Sequence, residues 1–153
     1  MDVCFFCKVG DPDVLERNAF YAVDLRILRE LGHRVSIATK PWRVPYADLY
    51  VVWWWTWAFF PLLRAKLAHR PVIVLGTFDH VLPDGTLQAF PGRPWWHRAL
   101  IKSVLRNADA NVVVSADQEE YLRSHFAVKG LARSPHVIDT ETYRPGKGSR
   151  EKL

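Results

Sequence analysis

Short apolar runs alternate with longer amphipathic runs, and this pattern constrains the fold of the chain more than any other feature. The short runs have the length and the β-branched and aromatic content of buried strands, whereas the longer runs repeat their apolar residues at helical spacing. The predicted strands are residues 3–6, 35–38, 49–53, 72–75, 110–114 and 131–133. The predicted helices are residues 14–31, 59–69, 95–106 and 117–125. The alternation predicts an α/β fold, a doubly wound parallel sheet of about six strands with helices on both faces, in the order 3-2-1-4-5-6.

The length of the chain, 153 residues, suits one domain with its own core. No apolar run reaches the roughly 18 residues that a membrane-spanning helix needs. Asp2 lies at the N-terminus and no basic segment precedes a long apolar stretch, so a secretory signal is not predicted. We therefore expect a cytoplasmic protein, either free or peripherally attached to the inner face of the membrane.

Cys4 and Cys7 form a C-x-x-C pattern in the first predicted strand. Side chains alternate along a strand, so a separation of three sends the two thiols to opposite faces of the sheet. A redox pair needs a strand-to-helix junction, and a zinc site needs further ligands at suitable spacing. We expect two reduced structural cysteines and no metal site.

A formal charge of +5 together with seven tryptophans favours an acidic partner or surface. Trp95, Arg98, Lys102 and Arg106 lie in a predicted basic amphipathic helix, whose apolar stripe is expected to include Trp96, Leu100, Val104 and Ala108. An anionic membrane or a partner protein could receive this helix. Alternatively, it is an ordinary outer helix with solvated cations. No nucleic-acid-binding motif is present.

The loop after the first predicted strand contains Gly10 and Asp11. Open parallel sheets bind ligands beyond the carboxyl ends of their strands, so both residues are candidate substrate contacts. Gly10 would let backbone N–H groups approach a phosphate or a sugar. A plain turn, with Asp11 or Asp13 as a helix cap, explains the same sequence. The pattern G-x-G-x-x-G is absent, so a dinucleotide cofactor is not predicted.

Four tryptophans follow the third predicted strand, at residues 53, 54, 55 and 57. Trp55 and Trp57 are candidates for substrate binding, because indole faces stack on sugar rings or on the apolar part of a lipid. In the alternative, Trp53 and Trp55 pack on one face of the sheet while Trp54 and Trp57 lie under helices.

Asp79 and His80 follow the fourth predicted strand and are the candidate catalytic residues. Asp79 could accept a hydrogen bond from a substrate hydroxyl or act as a base, and His80 could contact a phosphate. An aspartate capping a turn beside a solvated histidine is the alternative. Ser115, after the fifth strand, could contact substrate or help to cap a helix for which Asp117 is also a candidate cap.

Five short motifs follow one another in order: L-G-H-R-V, A-D-L-Y-V-V, R-P-V-I-V, A-D-A-N-V-V-V-S and P-H-V-I-D-T-E-T-Y-R-P. Together they resemble the N-terminal, acceptor-side domain of family-four glycosyltransferases, which have the GT-B fold. The resemblance makes His136 a further substrate-binding candidate. Two features depart from the family pattern: tryptophans replace its H-x-H after the third strand, and Phe78 stands where T-x-H-D has its histidine.

The resemblance implies a Rossmann-like domain at residues 1–146, a disordered tail at 147–153 and no C-terminal donor-binding domain in this chain. The complete enzyme would transfer a sugar from a nucleotide-sugar to a sugar or lipid-linked acceptor, with retention of configuration. This chain alone would bind no cofactor and would be inactive. The alternative is a non-catalytic subunit, or a module that docks on a membrane or partner, completed by a separate donor domain.

Overall fold

The computed structural model describes residues 1–80 and 89–135. Its six strands are β1 (Asp2–Cys7), β2 (Arg34–Ala38), β3 (Leu49–Trp53), β4 (Val72–Gly76), β5 (Ala110–Val113) and β6 (Leu131–Arg133). Its α-helices are α1 (Val14–Arg17), α2 (Ala19–Glu30), α3 (Phe59–Leu67), α4 (Trp95–Asn107) and α5 (Ala116–His125). Two 3₁₀ turns lie at Pro41–Arg43 and Phe90–Gly92. The strands form one sheet in which every neighbouring pair is parallel. The predicted α/β, Rossmann-like class is therefore confirmed.

The predicted strand order is wrong. The sheet runs β2-β1-β3-β4-β5-β6, so β3 pairs with β1 and β2 forms an edge. Burial explains the difference, because four of the five residues of β3 are buried, as an interior strand requires. In β2, Arg34 and Ser36 point outward at alternate positions, which suits an edge strand. The order reverses between β1 and β3, which is the topological switch point of the sheet.

Two hydrophobic cores lie on opposite faces of the sheet, and β1 supplies both. Cys4 belongs to the core under α3, α4 and α5, whereas Cys7 belongs to the core under α1 and α2. The two thiols are free and buried, as the spacing predicts. Burial raises the pKa of Cys4 to about 12 and that of Cys7 to about 11. Both cysteines are therefore neutral packing residues at physiological pH.

The first predicted helix is two helices, because Asn18 adopts an extended conformation between α1 and α2. Its side chain accepts a hydrogen bond from Phe20 N–H (3.0 Å) and so caps the start of α2. Gly32 ends the helical segment with a φ of +78°, as predicted for a left-handed stop.

The buried side of α4 differs from the predicted stripe. His97, Ile101, Val104 and Leu105 face the core, whereas Trp96 is 47% exposed. The true stripe includes a histidine, which a search for apolar residues at helical spacing passes over. Within residues 1–80 and 89–135, none of the helices has both the length and the apolar content to cross a bilayer.

Candidate functional site

A cavity of about 250 Å³ opens where β3 and β4 end. Four aromatic side chains line it: Trp54, Trp55, Phe78 and Phe90. Its polar lining consists of Thr56, Thr77, Asp79 and Arg93. The cavity thus lies beyond the carboxyl ends of parallel strands, one strand away from the switch point, where open α/β sheets bind their ligands.

Trp55 forms the rigid floor of this cavity. Its indole Nε1 donates to Asn111 Oδ1 at 2.8 Å, and the ring is only 3% exposed. Asn111 is fully buried in β5, and its amide also donates to the carbonyl oxygens of Leu105 (3.1 Å) and Lys129 (2.8 Å). Every polar atom of this buried pair is bonded, which fixes the orientation of the indole.

Trp54 occupies a strained backbone position next to the cavity. Its φ is +74°, in the left-handed region that a bulky side chain rarely adopts. The backbone N–H of Trp54 donates to Leu75 O (3.0 Å), and its indole Nε1 donates to the hydroxyl of Tyr21 (3.1 Å). A Cβ added to Gly76 would lie 3.2 Å from Trp54 Cε3, so glycine makes room for the ring. These contacts thus hold Trp54 in a strained conformation, from which the chain turns towards the cavity.

The tryptophans after β3 do not divide as the packing alternative predicted. Trp53 and Trp55 belong to cores on opposite faces of the sheet, and Trp54 packs in the same core as Trp53. The strand ends at Trp53 and the backbone turns at Trp54, so strict alternation does not extend to Trp55. Trp57 is 37% exposed and lies in the turn just before α3.

Phe78 fills the space beneath the end of β4. Its ring contacts Trp55 (5.5 Å between centroids), Phe90 (5.6 Å), Tyr121 (6.2 Å) and Phe126 (5.9 Å). The ring is buried, so this position supplies packing where the resembling family has a histidine. Asp79, the next residue, faces the opening of the cavity.

Asp79 and Arg93 form the charged side of the cavity. Burial lowers the pKa of Arg93, and the negative charge of Asp79 opposes that effect. The guanidinium nevertheless remains a cation at neutral pH, since the ordinary pKa of arginine lies far above neutrality. The cavity therefore offers a carboxylate, a guanidinium and two threonine hydroxyls beside aromatic surfaces. This combination suits a hydroxyl-rich ligand.

His80 lies beside this cavity and is not among its lining residues. Its Nδ1 donates to Phe78 O (3.1 Å), its Nε2 faces Asp117 Oδ2 (3.1 Å), and its ring stacks on Tyr121 at 4.1 Å. Both ring nitrogens are engaged, which ties the end of β4 to α5. Its predicted catalytic role remains a prediction.

Gly10, Asp11 and Ser115, three other candidate substrate contacts, are not among the described residues that line the cavity. Gly10 is exposed, has no φ in the left-handed region and has open space around it, so the backbone does not require glycine there. The Asp11 carboxylate accepts from Asp13 N–H (3.0 Å), which matches the turn interpretation. Ser115 caps α5 by accepting from Gln118 N–H (3.2 Å), and Asp117 lies in the first turn instead of capping it. His136 falls outside the described residues.

His97 connects the cavity to the outer surface, and sequence analysis did not identify it. Its Nε2 donates to Thr56 O at 2.8 Å, which joins α4 to the turn after β3. Its ring stacks on Trp96 (5.1 Å) and contacts Trp57 (5.9 Å). The only signal in the sequence is its spacing of four from Ile101 on the buried side of α4. Across the described residues, no group of three or more His, Cys, Asp or Glu side chains is placed to hold a metal ion.

The fold and the cavity together define a Rossmann-like α/β domain with a ligand-sized opening at the carboxyl edge of its sheet. Among solved structures, the chain is similar to HepE from Anabaena in complex with UDP, with a TM-score of 0.57 and 13% identity over 96% of this chain and 47% of that chain. The HepE complex with UDP-glucose gives a TM-score of 0.57 and 12% identity over the same shares. The chain thus spans about half the length of the structures it matches. At this identity the likeness establishes the fold. No protein-family model matches the chain, and no curated protein matches it.

Proposed function

We propose that this chain is the acceptor-side half of a nucleotide-sugar-dependent glycosyltransferase with the GT-B fold. The observation that carries the proposal is the cavity at the ends of β3 and β4, which combines aromatic surfaces with hydroxyl, carboxylate and guanidinium groups. Sugars present both apolar ring faces and many hydroxyls, so such a lining fits them. The shared fold with about half of HepE, whose crystal structures hold UDP and UDP-glucose, supports the same class.

We assign to Asp79 the role of binding the acceptor hydroxyl that reacts. Its carboxylate is exposed at the cavity opening and accepts hydrogen bonds only, so it can orient an acceptor O–H. In the transfer, a bond forms between the acceptor oxygen and the anomeric carbon while the bond from that carbon to the nucleotide phosphate breaks. The acceptor proton leaves towards Asp79 or towards a departing phosphate oxygen. Arg93 lies on the same side and favours negative charge there.

The nucleotide-sugar would bind mainly to a donor domain, either in the same polypeptide or in a second subunit. In the GT-B arrangement that we propose, this domain faces the carboxyl edge of the sheet and closes the cavity, with retention of configuration at the transferred sugar. The isolated 153-residue chain is then expected to bind acceptor sugars weakly and to transfer nothing. The second candidate is a non-catalytic subunit with the same cavity, which would bind a sugar without ever supporting turnover.

Indole N–H signals in ¹⁵N-edited NMR spectra test the assignment, because Trp54 and Trp55 line the cavity whereas Trp95 does not. An alkyl glucoside should shift the Trp54 and Trp55 signals with a millimolar dissociation constant. UDP-glucose should leave those two signals in place, and no transfer to the glucoside should occur. Asp79→Asn should weaken glucoside binding by about tenfold to a hundredfold, since a hydrogen bond to a charged group is worth roughly 1.5–3 kcal/mol.

Asp13→Asn is the matched control, because this carboxylate is exposed just before α1 and pairs with Arg17 at 2.9 Å, and Asp13 is not among the lining residues of the cavity. It should not alter glucoside binding. If UDP-glucose shifts Trp54 and Trp55 more strongly than the glucoside does, the cavity is a donor site. Turnover by the isolated chain would contradict the acceptor-side assignment. If neither ligand shifts the indole signals, the cavity does not bind a sugar.

A further inference from the structure

The outer surface of α3 and α4 exposes an unusual amount of apolar side chain. We call it the outer aromatic face. Its members are Trp57, Phe60, Leu63, Leu67, Trp95 and Trp96. Leu67 is 73% exposed and Trp95 is 76% exposed. The 3.6-residue repeat of a helix places Phe60, Leu63 and Leu67 within about 60° of one another, so they form a stripe along the whole of α3.

Direct contacts join the two helices into one surface. Trp57 stacks on Phe60 at 6.2 Å between ring centroids and contacts the His97 ring at 5.9 Å. His97 stacks in turn on Trp96 at 5.1 Å. The partly exposed rings of Phe60, Trp57 and Trp96 are therefore linked through the His97 ring, and Trp95 adjoins Trp96 in sequence. A contiguous apolar patch on a protein surface indicates an interaction site more strongly than scattered exposed residues do.

Every ionised side chain in these two helices is a cation. The set comprises Arg64, Lys66, Arg98, Lys102 and Arg106. Lys66 pairs with Asp109 at 3.1 Å, and Arg64 lies 3.6 Å from the centre of the Tyr46 ring. Arg98, Lys102 and Arg106 form no ion pair with any residue in the described ranges 1–80 and 89–135.

The neighbouring helices differ in charge. In α5, Asp117, Glu119 and Glu120 outnumber the single arginine, and α2 also carries carboxylates. Among the five α-helices of the described residues, only α3 and α4 therefore carry a net positive charge. On α4 the helical repeat places Trp95, Arg98, Lys102 and Arg106 within about 80° of one another. Indole rings next to lysine and arginine match the headgroup region of a bilayer, where apolar tails lie below negatively charged phosphates.

We propose that the outer aromatic face docks on the surface of an anionic lipid bilayer. The exposed rings enter the headgroup boundary, and Arg98, Lys102 and Arg106, which form no ion pair within the described residues, contact lipid phosphates. The cavity lies beside this face, because His97 donates a hydrogen bond to Thr56 O in the cavity lining while its ring contacts those of Trp57 and Trp96. Docking would therefore hold the cavity next to the lipid surface, which suits a lipid-linked acceptor. Only that last step rests on the proposed function. The docking itself does not require transfer activity.

Co-sedimentation with phospholipid vesicles tests the proposal. Vesicles of phosphatidylcholine with about one third phosphatidylglycerol should bind the chain, pure phosphatidylcholine should bind it far less, and raising salt from about 0.05 to 0.5 M should weaken the binding. The Trp95→Ser/Lys102→Gln variant should lose about fiftyfold in partitioning, from roughly tenfold for the indole and fivefold for the cation. Arg98→Gln/Arg106→Gln, which leaves every aromatic ring in place, should lose about twenty-fivefold, from roughly fivefold for each cation.

The matched control is Phe20→Ser/Arg26→Gln on α2, on the opposite face of the sheet. It removes one exposed ring and one cation and should change partitioning by less than about threefold if the site lies on α3 and α4. An equal loss in the control would show that binding depends on overall charge and would overturn the proposal. So would equal binding to both kinds of vesicle. A dimer in lipid-free solution that the Trp95 variant disperses would mean that a second copy covers this face, which also overturns it.

Discussion

Two groups of tryptophans in this chain differ in what surrounds the indole. Trp53, Trp54 and Trp55 each donate the ring N–H to a side chain of another element, at 2.9, 3.1 and 2.8 Å. Trp57 lies in the turn before α3, Trp95 and Trp96 begin α4, and each of the three exposes more than a third of its surface. The first group ties β3 to α2 and β5, whereas the second contributes little to packing. The same residue type therefore serves the fold at the end of one strand and is available for binding a few residues later.

The largest difference between the groups should appear in stability. Trp55→Ala removes a buried ring and leaves the fully buried Asn111 without the donor for its Oδ1. We expect a loss of about 3–5 kcal/mol in the free energy of unfolding. Trp95→Ala should change it by less than about 0.5 kcal/mol. Urea denaturation followed by circular dichroism measures both changes. Similar losses for the two variants would contradict the distinction between the buried and the exposed tryptophans.

Cys7 provides a chemical probe of the buried group, because its thiol packs against Tyr21 and Trp54. Burial raises its pKa from 9.0 to about 11, while hydrogen bonds from Tyr21 and Trp54 lower it by less. At pH 8 the thiolate fraction should fall about a hundredfold relative to an exposed cysteine, so a thiol-specific reagent should label native protein at least that much more slowly.

The raised pKa also sets a pH dependence. The folded state favours the neutral thiol, so its contribution to stability is complete below about pH 9 and is lost as the pH rises towards 11. Cys4→Ala leaves Cys7 as the sole thiol for these measurements. Trp54→Ala in that background should speed labelling, whereas Trp57→Ala should not. Rapid labelling of the native chain, or acceleration by Trp57→Ala, would mean that the buried group is open to solvent.

A smaller effect is expected at Gly76, which makes room for the Trp54 ring. Its φ is +139°, and a Cβ there would lie 3.2 Å from the ring, so Gly76→Ala should cost about 1–3 kcal/mol in the free energy of unfolding. Gly10→Ala is the control, because its surroundings are open and its φ is not in the left-handed region; its effect should stay below about 1 kcal/mol. Equal changes at both glycines would show that Trp54 is not held as tightly as its contacts indicate.

Much of the architecture follows from sequence, and strand order is the main exception. The short apolar runs predict every strand to within a residue at each end, and the spacing of Cys4 and Cys7 places them on opposite faces. Order in the sheet depends on which strand is buried on both sides. The sequence does indicate this burial: polar Arg34 and Ser36 alternate with apolar residues in β2, whereas β3 is a continuous apolar run. The alternation of strands and helices, on which the predicted order rests, does not use this signal.

The candidate site is less predictable, because long-range contacts decide it. Sequence position singles out Asp79 and Trp55 because they follow the strands, and both line the cavity. Arg93 and His97 reach the same region from beyond the fourth strand, and no local motif marks them. Ser115 shows the converse, since its local role as a helix cap accounts for it. A side chain's neighbours in sequence determine its cap or turn, whereas its place in a cavity depends on where other elements fold.

The smallest expected effect concerns the exposed group, and it tests directly whether solvent reaches these three rings. Acrylamide should quench the fluorescence of Trp57, Trp95 and Trp96 strongly and that of the buried group weakly, since only exposed rings collide with a solute. Trp95→Ser/Trp96→Ser should reduce the quenchable fraction while changing the free energy of unfolding by less than about 1 kcal/mol. Trp42→Ser gives the reference for one exposed ring outside both groups, since it is 74% exposed. If the double variant quenches like the unchanged chain, other atoms cover Trp95 and Trp96 in solution. In that case Trp55 and its neighbours would still stabilise the fold, but Trp95 and Trp96 would not be free to bind a partner.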